Sequence, residues 1–131
     1  MKDAPDATSD ELLWTVAVAR LIMGQDMNIQ VPPNLNSDDY QAYIGAGIND
    51  WGGVSPLTID YVNPEAPWPG LAQLRERTGA EGHELRPRLP IYPEYFLETD
   101  RYLDPSITDQ VESLVDHKGY VKGGIQRYAG Q

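Results

Sequence analysis

Gly45-Ala-Gly-Ile-Asn-Asp-Trp-Gly-Gly-Val-Ser-Pro-Leu-Thr58 places a helix stop, a short apolar run and a glycine pair in succession. Gly45 and Gly47 end what precedes them. Ile48 to Trp51 has the length and composition of a short strand, and Gly52-Gly53 closes it. Working backward, Ser37 can cap a helix with Asp38 and Asp39 in its first turn, running through Tyr40 and Ile44. Met27-Asn-Ile-Gln-Val31 reads as an earlier strand, ended by Pro32 and Pro33 because neither can donate a ladder hydrogen bond. Glu11 to Met23 reads as a helix with Ser9 as N-cap, Asp10 and Glu11 in the first turn and Gly24 as its stop. Apolar residues surround most of that helix, so it is expected to pack between a sheet and other elements. Helix, strand, helix, strand with short connections predicts a parallel α/β sheet. Two parallel strands and one crossover cannot bury both faces of a sheet, so the pattern reads as a piece of a larger sheet or barrel.

After Gly53 the character changes. Residues Val54 to Pro69 carry Pro56, Pro64, Pro67 and Pro69, which predicts an ordered loop or extended segment. Gly70 to Glu81 reads as a helix. Glu84 to Tyr95 alternates but holds Pro87, Pro90 and Pro93, so it fits an edge element at best. Pro105 to Asp116 reads as a final helix with Ile107, Val111, Leu114 and Val115 as its core stripe. The expected organisation is a flexible lead-in over 1–8, helix–strand units over 9–53, an extension of the same domain over 54–116, and a flexible glycine-bearing tail over 117–131. No internal repeat is present.

Composition narrows the function classes. The chain has 131 residues and a formal net charge of −10. That balance argues against binding a phosphate backbone, which needs clustered Lys and Arg. The acidic residues are scattered, as on a solvated surface. Cysteine is absent, which excludes disulfides, a Cys nucleophile and thiolate-held zinc or iron–sulfur sites on these residues. His83 and His117 lie in separate segments, so neither a His-rich metal site nor a Ser–His–Asp triad is expected. The stretch Leu12 to Met23 falls short of the roughly 20 apolar residues a membrane span needs. No basic start or apolar run of a signal peptide follows Met1, and a cytoplasmic location is the default expectation.

The residues that offer chemistry gather at the strand ends. In α/β folds ligands bind outside the carboxyl ends of the strands, and glycines there let the backbone approach a ligand closely. Asn49 and Asp50 offer amide and carboxylate groups to a polar heterocycle, and Trp51 offers a stacking face. Gln30 and Asn34 occupy the matching place after the first strand. Two readings stay open for several of these. Trp51 and Trp68 suit a core as well as a ligand, and Gly52 with Gly53 suits a tight turn.

The resemblance rests on Ile29-Gln-Val-Pro-Pro-Asn-Leu35, Gly45 to Thr58 as quoted, and Val62-Asn-Pro-Glu-Ala-Pro-Trp-Pro69. Flanking these in order are Ala17-Val-Ala-Arg-Leu-Ile-Met-Gly24 and Leu89-Pro-Ile-Tyr-Pro-Glu-Tyr95. Together they resemble FO synthase, in the C-terminal third of the half that closes the deazaflavin ring, from roughly Glu11 to Pro105. The resemblance implies a radical-SAM (β/α) TIM-type barrel, here only its C-terminal part with a Pro-rich capping segment and C-terminal helices. It implies formation of FO, 7,8-didemethyl-8-hydroxy-5-deazariboflavin, from a hydroxybenzyl adduct of ribityl-diaminouracil with loss of ammonia. Such enzymes use a [4Fe–4S] cluster and S-adenosylmethionine held by an N-terminal Cys-x3-Cys-x2-Cys motif.

None of those cysteines is in this sequence, so no cofactor is expected on this chain alone, and a cluster-bearing N-terminal half is the implied partner. On the barrel mapping, Gln30, Asn34, Asn49, Asp50, Trp51, Gly52, Gly53 and Ser55 would face the substrate, while Asn63, Glu65 and Trp68 would order the capping loop. No catalytic residue follows from the resemblance. The alternatives are a non-catalytic module that binds a deazaflavin or its precursor, and an inactive truncated piece.

Overall fold

The computed structural model describes residues 5, 7–55 and 57–124. Parts of the expected lead-in (1–4 and 6) and tail (125–131), together with Pro56, lie outside the described residues. The backbone gathers into two compact units, Met1–His83 and Glu84–Gln131. The sequence reading had carried one domain through this boundary.

The first unit opens with α1, Ser9–Met23. Its N-cap is Thr8 rather than Ser9: Thr8 has extended backbone, its hydroxyl accepts from the Glu11 amide, and the Glu11 carboxylate accepts from the Thr8 amide. That reciprocal capping box satisfies two helix-end donors at once. These hydrogen bonds hold the Glu11 carboxyl below its ordinary pKa. Strand β1, Gln30–Val31, leads through Pro32 into a short 3-10 turn, Pro33–Asn36. The short helix α2, Ala42–Ala46, follows, then β2, Asp50–Trp51, and later α3, Leu71–Ala80.

The strands β1 and β2 pair in parallel, Gln30 with Asp50 and Val31 with Trp51. The parallel α/β unit expected from the sequence is therefore present. Each strand is two residues long, shorter than the runs expected over 27–31 and 48–51. Among the described residues no third strand joins this sheet to extend its ladder. The core of the unit is Val16, Tyr40, Tyr43, Ile48 and Leu74, with Pro33 and Tyr43 fully enclosed.

One buried-side cation ties the unit together. Arg20 interrupts the apolar run of α1, and its Nε donates to the Gly47 carbonyl at 2.7 Å. Its Nη1 donates to the carbonyls of Gly24, Gln25 and Met27. A guanidinium has five donors in a fixed fork, which suits gathering several orphan carbonyls. Arg20 thereby joins the end of α1, the loop into β1 and the end of α2.

The second unit holds α4 (Pro93–Phe96), α5 (Thr99–Tyr102) and α6 (Pro105–Leu114). Asp104 caps α6 through the Ser106 amide, and its hydrogen bonds from Ser106 lower its pKa. Val115 is buried as expected, but Ile107 is 43% exposed, so the predicted core stripe is only partly inward. Residues 117–124, expected to belong to a fraying tail, are tied back by bridges between Arg88 and Tyr120 and between Val115 and Val121. Val121 is buried, and Arg86 both pairs with Asp116 at 2.8 Å and lies over the Tyr120 ring.

Candidate functional site

Successive side chains of a strand point to opposite faces, so one well-placed residue orients the pair. Trp51 supplies that reference. Its Nε1 donates to the Thr78 hydroxyl of α3 at 3.1 Å, and its ring meets Tyr40 edge-on at 5.5 Å between centroids. Trp51 is thus on the helix side of the sheet. Thr78 is buried and its own hydroxyl donates to the Leu74 carbonyl at 2.7 Å. Tyr40 is sandwiched further by the Arg77 guanidinium, 4.8 Å above its ring, and burial pushes its phenol pKa up.

With Trp51 and its register partner Val31 on the helix side, Gln30 and Asp50 take the opposite face, side by side. Gly52 shares that face, two residues after Asp50. The Gln30 side chain crosses it so closely that a Cβ on Gly52 would meet Gln30 Oε1 at 3.2 Å. Gln30, Asp50 and Gly52 therefore share one face of the parallel strand pair. The sequence reading had placed Trp51 there as well; the structure puts its ring on the other side.

Asn49 immediately precedes β2. Its Oδ1 accepts from the Ile29 amide at 2.8 Å and its Nδ2 donates to Asn28 Oδ1 at 2.7 Å. Those bonds pin the approach to β1.

Asn34, in the 3-10 turn after β1, is 3% exposed. Its Nδ2 donates to Asp60 Oδ2 at 2.9 Å and to the Ala66 carbonyl at 3.0 Å. Two acceptors on one side assign that side of the amide as nitrogen. Asn34 thus holds the Pro-rich segment against the strand end.

Asp60 is the residue the sequence reading passed over. Its carboxylate also accepts from the amides of Val62 and Asn63 and from Asn63 Nδ2. The Asn34 bond first, then those from Val62 and Asn63, lower its pKa from 3.8 to about 2. A signal was present: an Asp followed two and three residues on by amides it can accept is the pattern of an Asx-turn. Asn63 is thus held by Asp60, and its carbonyl accepts from the Ala66 amide, closing the turn in which Glu65 is exposed.

Trp68 ends the segment by lying over Gly53, whose φ is +69°. A Cβ at Gly53 would stand 3.3 Å from Trp68 Cη2. Ser55 accepts from the Thr58 amide and hydroxyl, making a local turn. The expected site residues thus fall into three groups: Gln30, Asp50 and Gly52 on the face away from α3; Asn34 and Asn63 around Asp60; and Gly53 under Trp68. Trp51, Asn49 and Ser55 are engaged elsewhere. Among the described residues no group of three or more His, Asp or Glu is arranged to hold a metal ion, and no helix is long and apolar enough to cross a membrane.

Comparison with known proteins adds what geometry cannot. No family model and no solved structure matches the chain significantly. FO synthase of Streptomyces avermitilis is 54% identical over 116 residues, covering 88% of this chain and 14% of the relative. The 7,8-didemethyl-8-hydroxy-5-deazariboflavin synthase of Methanopyrus kandleri is 51% identical over 122 residues, 93% of this chain and 36% of the relative. FO synthase of Mycobacterium leprae is 47% identical over 117 residues. The chain thus spans between about a seventh and about a third of the length of these relatives. Half-identity across nine-tenths of the chain, under one recurring name, makes it homologous to one segment of those longer FO synthases.

Proposed function

We propose that this chain supplies part of the substrate-facing wall of a deazaflavin-forming barrel, and that it acts only together with a segment carrying the radical source. The reading is carried by one observation: Gln30, Asp50 and Gly52 share the face of a parallel strand pair opposite Trp51 and α3. In a (β/α) barrel that face is the interior.

On this reading the Asp50 carboxylate accepts hydrogen bonds from N–H or O–H groups of the ribityl-diaminouracil portion, and Gln30 offers both a donor and an acceptor beside it. Gly52 leaves the room that a side chain would fill. The segment 54–69, latched by Asp60 and Asn34 and weighted by Trp68, lies at the same strand ends and shields the site from water. Trp51 serves from behind by fixing β2 to α3.

The sequence contains no cysteine, so its residues do not fit a thiolate-ligated iron–sulfur cluster. Any cluster the reaction uses is held by another segment. What these residues do is bind, orient and exclude water, the division of labour usual where a cofactor performs the difficult chemistry.

The test is a chimera in which the 122 matched residues of the Methanopyrus kandleri synthase are replaced by this chain. Within it, Asp50→Asn is expected to depress FO formation more than cleavage of S-adenosylmethionine, because the substitution touches substrate and not the radical source. Equal losses in both would remove Asp50 from substrate binding.

A further inference from the structure

Helix α1 has two apolar stripes, and only one is used. Val16 is buried and Leu12, Leu13 and Ala19 are half-buried on the inward side, with Arg20 tied to Gly47. At 100° per residue, Trp14, Val18, Leu21 and Ile22 form a second stripe on the opposite side. Trp14 is 68% exposed, Leu21 83% and Ile22 78%. The residues predict a helix packed between a sheet and other elements; in the structure Val18 is half-buried, while Trp14, Leu21 and Ile22 of the outer side are exposed. A contiguous aromatic and aliphatic stripe of this kind on a soluble chain marks an interaction surface.

Charge and chain length decide what covers it. Asp10 and Glu11 stand at the head of the same stripe, one turn before Trp14. A second copy would bring the same acidic head and the same net charge of −10, so self-association through this stripe is opposed by like charge. The relatives, in contrast, carry far more chain than the 14% to 36% that this one matches. The parallel pair β1–β2 also has no third strand among the described residues, and parallel strands are found buried in larger sheets.

We propose that the outer stripe of α1 is the seam at which this chain joins the segment bearing the rest of the family barrel. The inference rests on the functional reading above and deepens it by locating the partner's footprint. The occupant is an amphipathic helix whose apolar ridge fills the space over Trp14, Leu21 and Ile22, with Lys or Arg placed opposite Asp10 and Glu11.

The test is co-expression of this chain with the part of the Methanopyrus kandleri synthase that its match leaves out. A one-to-one complex is expected on gel filtration. The double substitution Leu21→Glu with Ile22→Lys should cut the yield of complex at least tenfold while the near-ultraviolet circular dichroism of the isolated chain stays the same. Trp14→Lys, at the other end of the stripe, should act in the same direction. Absence of a one-to-one complex overturns the proposal, as does a complex indifferent to all three substitutions. A dimer of this chain alone that the double substitution dissolves also overturns it, by assigning the stripe to a second copy. The two readings separate cleanly. A complex that forms but makes no FO keeps the seam and removes the catalytic reading, whereas an active chimera whose separate pieces never associate removes the seam alone.

Discussion

Asp60 shows how one side chain can organise a segment with few regular hydrogen bonds. Its four hydrogen bonds come from residues as far apart as Asn34 and Asn63. Because its folded pKa, about 2, lies below the ordinary 3.8, the stabilisation is fully present above the unfolded value. It is lost as pH falls from about 4 toward 2. The protection of the Val62 and Asn63 amides against hydrogen exchange, measured relative to their intrinsic rates, should therefore fall across that window. In Asp60→Asn those amides should exchange faster at every pH, without the acid transition; an unchanged transition in the variant would assign it to another group. The sequence displayed this residue but not its role, since the Asn34 partner lies 26 positions away. The side on which Trp51 falls was equally hidden. An isolated dipeptide strand has two faces, and only the contacts with Thr78 and Tyr40 say which is which.

At the scale of elements, capping and periodicity carried the reading well for α1, α3 and α6, whose bounds lie close to those expected. The strands were legible in kind but not in length, because a ladder extends only as far as its neighbours allow. What holds α1 to α2 was not legible at all: a lone arginine in an apolar helix gives no hint that it gathers four carbonyls. Gly47 completes that joint. Its φ is +113°, and an added Cβ would lie 2.8 Å from Arg20 Cγ and 2.9 Å from Arg20 Cβ, atoms too near the backbone to swing away. Gly47→Ala should thus destabilise the first unit by about 1–3 kcal/mol, read as a lower urea midpoint with an unchanged slope. Gly45→Ala, two residues earlier and with open space around it, is the control and should cost far less.

For the whole molecule, the sequence showed too few strands to close a sheet, and the described residues hold one two-stranded parallel pair. The resemblance was legible from ordered motifs spanning most of the chain, and relatives about half identical confirm it. The most direct test of the proposed role is FO fluorescence from the chimera in which this chain replaces the matched residues of the Methanopyrus kandleri synthase. FO above the level of a control carrying no insert is expected if, as proposed, these residues supply part of the substrate-facing wall. A chimera that folds and cleaves S-adenosylmethionine yet forms no FO would contradict it.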